Sequence, residues 1–372
     1  MEGLLEKISE ELQIDKSQWT PTKFGDVAIQ QKGKVDRDNT DLTRYVQGGH
    51  MNSEDLHLRS WGELEDEYLG PAFIRRFDEG DILYGSRRTY LRKVVIAPFS
   101  GITSNTTFVI RANEKNIDKR LLPFIMMSEG FTENSVRNSK GSVNPYINWK
   151  DIAKYEFLLP PKDQQAHLAK LLWAMDGVIE KEKEVLEKTE IIKKSLIKKF
   201  ISSEENWTKH KINDLMTFNY GSALKESERI EGENYVVTSS GIQGTHNKFK
   251  TEGPGIVVGR KGNVGQVTWV EQNFWTTDTA YYILINKEFK HIPLKFFYYL
   301  LVGANLKKYS IATAVPGLNR DDALLTNIFL PSDKEINPYL NKFDNIDMKL
   351  KDIFYKISSS LSLQKSIINQ IF

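Results

Sequence analysis

Two short stretches concentrate residue types that bind anions. Residues 259–265 read GRKGNVG, three glycines beside Arg260 and Lys261, and residues 85–93 read GSRRTYLRK, with Arg87, Arg88, Tyr90, Arg92 and Lys93. A loop that cradles a nucleotide phosphate needs GxGxxG, or a Gly-Lys-Ser/Thr sequence that opens a helix. Neither spacing is present, and the residues that follow, Gln266-Val267-Thr268-Trp269-Val270, alternate like a strand. The earlier stretch keeps one glycine but all the cations. The charges, and not the glycines, are therefore the shared feature, and both stretches read as hairpin tips that aim basic side chains outward.

Other chemistries have weaker support. Asp278, Glu288 and Lys290 form a loose nuclease-like D-x9-E-x-K, but its proline is missing and Asp278 of TTDT at 276–279 is matched by Asn105 of TSNT at 103–106. Asn144-Pro145-Tyr146 and Asn337-Pro338-Tyr339 lack the second proline of the amino-methyltransferase tetrapeptide, and no glycine-rich methyl-donor loop precedes them. The histidines at 50, 57, 167, 210, 246 and 291 make no i, i+4 metal pair. No cysteine is present, which removes disulfides, thiolate zinc sites and cysteine nucleophiles. No hydrolase triad is visible, and the expectation is a chain that catalyses nothing alone and holds no metal.

The charge balance is nearly neutral, with 51 Lys and Arg against 49 Asp and Glu, so any polyanion surface must come from local clustering. MEGLLEKISEELQ is acidic and amphipathic, unlike a secretory leader, and no window is apolar enough to span a membrane. A soluble, cytoplasmic protein is expected.

The elements that would carry the tips occur twice. Trp19-Thr20 followed by Phe24-Gly25-Asp26-Val27 returns as Trp207-Thr208 followed by Ile212-Asn213-Asp214-Leu215. Asp81 to Gly85 aligns with Gly255 to Gly259, Thr103 to Thr106 with Thr276 to Thr279, and Val143 to Asn148 with Ala314 to Asn319. Most length variation falls between residues 28 and 80. Each copy starts as a strand-rich α/β globule, with runs such as 94–97 and 281–285 and short helical windows at 121–127 and 294–301. After Pro161 and Pro331 turn residues vanish, and apolar residues fall three or four apart. These are Leu168, Leu172, Met175, Ile179, Leu186 and Ile192 in one copy, and Leu340, Phe343, Ile346, Leu350, Ile353 and Ile357 in the other. This is coiled-coil spacing. A helix over 162–200 would run roughly 58 Å, longer than its globule. The expected fold is two α/β (α+β) globules with two long antiparallel coiled-coil helices, a pseudo-two-fold dumbbell. The run EKEKE at 180–184 interrupts the first seam, while Leu171, Val178 and Val185 widen it beyond what two helices need.

GSVNPYINWKDI at 141–152, LPPKDQQ at 159–165, SSGIQG at 239–244 and the KSLIKKF helix end, in duplicated order, resemble the specificity subunit of type I restriction-modification enzymes. The resemblance runs from Trp19 to Phe372. It departs where Ala312-Thr313 replaces Gly141-Ser142 and where the second copy loses Gln165, which leaves the start of the second helix open. It implies an extension at 1–18, target-recognition domains at 19–161 and 204–332, and spacer helices at 162–203 and 333–372. Leu4, Leu5, Ile8 and Leu12 would place a short helix in the extension.

Expected partners are double-stranded DNA, two methyltransferase subunits and, in some assemblies, restriction subunits. S-adenosylmethionine, ATP and magnesium would belong to those partners only. Two domains held apart would read an asymmetric split target, with half-sites about one helical turn apart, near 34 to 36 Å. Sequence discrimination comes chiefly from Arg on guanine and Asn or Gln on adenine. The candidate contacts are Arg87, Arg88, Tyr90, Arg92, Lys140, Ser142 and Asn144 in the first domain. In the second they are Ser240, Gln243, Thr245, His246, Lys248, Arg260, Lys261, Asn263, Thr313 and Arg320. The competing readings are a coiled-coil adaptor whose globules bind protein, and a nuclease fragment using Asp278 and Glu288.

Overall fold

The computed structural model describes residues 14–36, 39–66, 68–201, 207–311 and 316–372, so the helix expected from Leu4 to Leu12 lies outside the described residues. The chain divides into one unit of Met1–Lys183 with Tyr355–Phe372 and another of Glu184–Phe354.

The first unit runs β1 (Thr20–Lys23), α1 (Phe24–Val27), β2 (Ala28–Gln31), β3 (Arg44–Val46), β4 (Gly62–Glu63), β5 (Phe73–Phe77), β6 (Ile82–Gly85), β7 (Val94–Ile96), β8 (Gly101–Ser104) and β9 (Thr107–Ala112). It continues through α2 (Leu122–Met127), α3 (Glu129–Arg137), α4 (Trp149–Ile152) and β10 (Glu156–Leu159) into α5 (Lys162–Ile201). One sheet has the order β2-β9-β6-β7 and a second β4-β3-β8-β5, while β1 pairs with β10. Successive side chains of a strand point to opposite faces. In β6, Ile82 and Tyr84 accordingly enter the core shared with the helices, while Leu83 joins Val46, Met51, Val95 and Val109 on the other face. Burial on both faces explains why the central strands read as unbroken apolar runs.

The second unit runs β11 (Thr208–Lys211), α6 (Ile212–Leu215), β12 (Met216–Tyr220), β13 (Asn234–Thr238), β14 (Gly241–His246), β15 (Gly255–Gly259), β16 (Val267–Val270), β17 (Phe274–Thr276) and β18 (Ala280–Ile285). After these come α7 (Leu294–Ala304), β19 (Ser310–Ile311), β20 (Gly317–Leu318), α8 (Arg320–Leu324), β21 (Asn327–Leu330) and α9 (Asp333–Ile371). Its sheets are β12-β18-β15-β16 and β14-β13-β17, with β11 paired to β21. The two main sheets repeat the wiring of the first unit, down to the parallel pairing of β13 with β17 and of β3 with β8. The strand β5 is reduced in the second unit to one antiparallel bridge, Thr251 with Phe274, in the register of Phe77 with Gly101.

The helices α5 and α9 are continuous over 40 and 39 residues. The start of α9, left open by the sequence, falls at Asp333, where Ser332 and Glu335 form a cap through a 2.8 Å side-chain bond. Gln165 is fully enclosed, accepting from the Asp118 amide and donating to the Pro160 carbonyl, both at 2.8 Å. Its counterpart Ile336 fills the same position with apolar atoms. In the first unit Leu168 and Leu172 of α5 share a core with Ile367, Ile368 and Ile371 of α9. In the second, Ile197 and Phe200 of α5 meet Ile336, Leu340 and Phe343 of α9. The seam expected through Ile192 needs correction, because Ile192 is exposed together with Val178, Val185 and Ile191. Seven residues beyond Leu186 stands Lys193, and this residue occupies the seam, with its ammonium 2.5 Å from Asp347. A six-residue step turns the side chain away from the face that a seven-residue step preserves.

Candidate nucleic-acid interface

Both basic stretches connect antiparallel neighbours, β6 to β7 and β15 to β16. Each is pinned on two sides by equivalent bonds. On one side, the Ser86 amide donates to the Thr106 carbonyl (3.0 Å), and the Arg260 amide to the Thr279 carbonyl (2.9 Å). Those receiving turns are themselves braced by hydroxyl pairs, Ser104 with Thr106 at 2.6 Å and Thr277 with Thr279 at 2.8 Å. On the other side, the Arg88 amide donates to the Pro145 carbonyl (2.7 Å), and the Gly262 amide to the Pro316 carbonyl (3.1 Å). The segments NPYI and, from Pro316, PGL therefore act as straps that hold each tip in one conformation. Asn148 and Asn319 then lead into α4 and α8, and the Asn319 side chain caps α8 by accepting from the Asp322 amide.

The glycines have a structural reason of their own. Gly262 and Gly265 adopt left-handed backbone, at φ of 77° and 73°, and a Cβ on Gly259 would lie 2.0 Å from the Asn263 carbonyl oxygen. The matching residues of the first tip, Arg88 and Arg92, are left-handed too, at 50° and 49°. The two copies thus share a backbone path that glycine adopts freely and that costs arginine about 1–2 kcal/mol. Shared charge is narrower than the sequence comparison implies: only Arg87 and Lys261 coincide, since Ser86 matches Arg260.

In the first unit Arg87, Arg88, Tyr90, Lys140, Ser142 and Asn144 are exposed around the tip and its strap, and Lys140 is bridged to Tyr146. Arg92 corrects the sequence expectation. It is only 9% exposed, with its guanidinium held 2.6 Å from Glu54 and in contact with Glu129, so its charge is spent inside the fold. Lys93 likewise turns inward to the Gly48 carbonyl, 2.5 Å away.

In the second unit Ser240, Gln243, Lys248, Lys261 and Asn263 are exposed, Thr245 is half-buried, and Asn263 donates to the Ser240 hydroxyl at 3.0 Å. His246 is the second correction. Its ring is 5% exposed against Trp275, and its Nδ1 accepts from the Ile230 amide at 3.0 Å, which makes it a core residue. Thr313 lies outside the described residues.

Arg260 and Arg320 converge on a residue that the sequence reading passed over. Strand β12 buries Met216 and Phe218 and ends on Tyr220, whose ring is 54% exposed. The Arg260 guanidinium stands 4.9 Å and that of Arg320 5.4 Å from its centroid. The period-two pattern of MTFNY, followed by Gly221, was the available signal: an aromatic placed where a strand leaves its core.

The nuclease-like triplet does not assemble. Asp278 precedes β18 and Glu288 follows it, and a strand of six residues separates its ends by roughly 20 Å. Among the described residues no group of His, Asp and Glu could hold a metal ion, and no helix is long and apolar enough to cross a membrane.

A chain with two such modules, each followed by a long helix, matches one family twice. The model of the type I restriction modification DNA specificity domain fits residues 16–190 and again 204–359, and the chain belongs to this family. Over 188 residues it is 28% identical to the type I restriction enzyme EcoDI specificity subunit of Escherichia coli, a match spanning 47% of this chain and 39% of that relative. The fold is similar to that of the S subunit of a type I restriction-modification system from M. genitalium, with a TM-score of 0.58 and 16% identity over 97% of this chain and 98% of that one. It is equally similar, at 0.58 and 15% identity, to a chain solved in a study of complex assembly and conformational transition of the type I R-M system, with 95% and 96% covered.

Proposed function

We propose that this chain is the non-catalytic subunit that selects DNA sequence for a type I restriction-modification complex. Domains 19–161 and 204–332 each read one half of a split, asymmetric target. Helices 162–203 and 333–372 set the gap between the halves and dock two methyltransferase subunits, with restriction subunits as further partners. Donor S-adenosylmethionine, ATP and magnesium belong to those partners, and 1–18 is an extension of the first domain. The exposed tip residues of both units, with Arg260 and Arg320, form the DNA-facing surface.

The observation that carries this reading is the repeated tip. Two copies of one fold hold a basic loop in the same doubly pinned conformation, yet fill it with different side chains, as two readers of different words require. The test is to exchange residues 204–332 for those of a relative and map methylated adenines in the host genome. One half-site should change and the other stay. A change in both halves, or in neither, refutes the modular reading. Removing four residues between 180 and 188 should alter the gap and leave both words intact. If duplex binding by the chain with its methyltransferase shows no sequence preference at moderate salt, the adaptor reading replaces this one.

A further inference from the structure

We propose that the cleft formed by Tyr220, Arg260 and Arg320 in the second unit binds one backbone phosphodiester of the DNA, and that base reading falls to the exposed side chains around it. This rests on the DNA-recognition reading above and assigns a division of labour within it.

The cleft, of 310 Å³, is also lined by Lys261, Tyr281 and Asp321. Three features suit it to an oxyanion. Two guanidiniums meet at one ring, and stacking on an aromatic face fixes the plane of a guanidinium without consuming its N–H donors. Arg260 donates from Nη1 to the Asp278 carbonyl at 2.9 Å and also bonds the Tyr281 hydroxyl, and these two contacts orient its remaining donors. Neither cation is cancelled in the way Arg92 is. The carboxylate nearest Arg320 is Asp321, at 3.4 Å on a side chain that is 81% exposed, a pairing that water and salt weaken.

The same features argue against direct base reading by these two arginines. A side chain that reads a base edge must extend into the groove. Arg260 and Arg320 are half-buried and drawn back onto Tyr220, whereas Lys261, Asn263, Ser240 and Gln243 project from the surface. Fixed, recessed cations position a duplex, and projecting polar groups discriminate its sequence.

Among the described residues the first unit does not repeat this trio. The residues matching Tyr220, Arg260 and Arg320 are Lys32, Ser86 and Trp149, and the Trp149 ring instead meets Phe108 edge-on at 5.9 Å. The anchor therefore belongs to one domain only.

The experiment follows duplex binding by the full-length chain across a salt series, using a pool of random-sequence DNA and fluorescence anisotropy. Each phosphate contact contributes about 0.9 to the slope of log affinity against log salt. Arg260→Gln and Arg320→Gln should each make the slope shallower by part of that amount, and the double variant, which removes the whole contact, by about 0.9. Arg320→Lys keeps the charge and should restore the slope, which separates loss of contact from loss of fold. Selection from the same pool should return one preferred sequence for the unaltered chain and for both glutamine variants. An unchanged slope in the double variant, or a changed base preference, overturns the assignment while DNA recognition stands. No binding by the unaltered chain at any salt would remove DNA recognition itself, and the cleft with it.

Discussion

The two units share their wiring, and both seat the long helices on an apolar core, but each adds a different contact to it. In the first, residues 47–61 intervene between β3 and β4, where the second unit has only Ser239-Ser240 between β13 and β14. This insertion buries Met51, Leu56 and Leu58 and grips helices through ions. Arg59 binds Asp55 and reaches Glu180 at 2.6 Å, His57 meets Asp176 at 2.9 Å, and Glu54 joins Lys365 at 2.9 Å. The second unit relies on aromatic rings. Phe200 is enclosed by Trp207, Phe296, Tyr339 and Phe343, with centroids between 4.7 and 5.5 Å away. A duplicated fold can thus keep its backbone and change the physics of one contact, because sheet pairing is indifferent to what fills a surface insertion.

Four substitutions break or sharpen this contrast. Phe200→Ala removes the centre of the aromatic cluster and should destabilise the second unit by about 3–5 kcal/mol. Urea unfolding followed by hydrogen exchange would show protection lost there first, and unaltered protection would refute the aromatic fastening. Arg92→Ala should cost about 1–2 kcal/mol, since it leaves Glu54 and Glu129 without their shared cation. It should not change the salt slope of DNA binding, and a shallower slope would return Arg92 to the interface.

The ionic fastening should respond to pH. The hydrogen bond to Asp176 holds the His57 pKa above its ordinary 6.5, outweighing partial burial, and the nearby Glu180 charge adds to it while Arg59 opposes. Stability from a raised pKa is complete below the unfolded value and is lost as pH rises through the folded one. Burial opposes the charge on Glu180, but Arg59 and Lys183 more than offset it and hold its pKa at about 2. That contribution is present above about 4.5 and is lost as pH falls towards 2. Asp176→Asn should therefore cost less than about 1 kcal/mol, and only on the acid side of His57 titration. Melting curves from pH 5 to 9 that show the same loss throughout would refute the pair. Arg87→Ala should leave stability unchanged and lower the salt slope by about 1.

Much of this was legible in the chain. Unbroken apolar runs such as 94–97 and 281–285 mark strands buried on both faces, and apolar spacing after Pro161 and Pro331 marks the long helices, since both signals depend only on local geometry. Reading the glycines as incidental missed the left-handed bends, because Arg88 and Arg92 adopt in one copy what Gly262 and Gly265 adopt in the other. Misplacing the seam at Ile192 came from trusting apolarity over register, when Lys193 held the register and found Asp347.

Sequence by itself determined the duplication, the sheet strands, the long helices and the placement of cations at two hairpin tips, because periodicity and turn chemistry act between neighbours along the chain. Which cations remain available was decided only by tertiary structure. Arg92 is neutralised by Glu54, 38 residues away. His246 is enclosed by Trp275, and Tyr220 is brought under Arg260 and Arg320 by the meeting of a strand end, a turn and a helix start. A charge is spent or kept according to what the fold sets against it, and that partner is fixed only when distant segments meet.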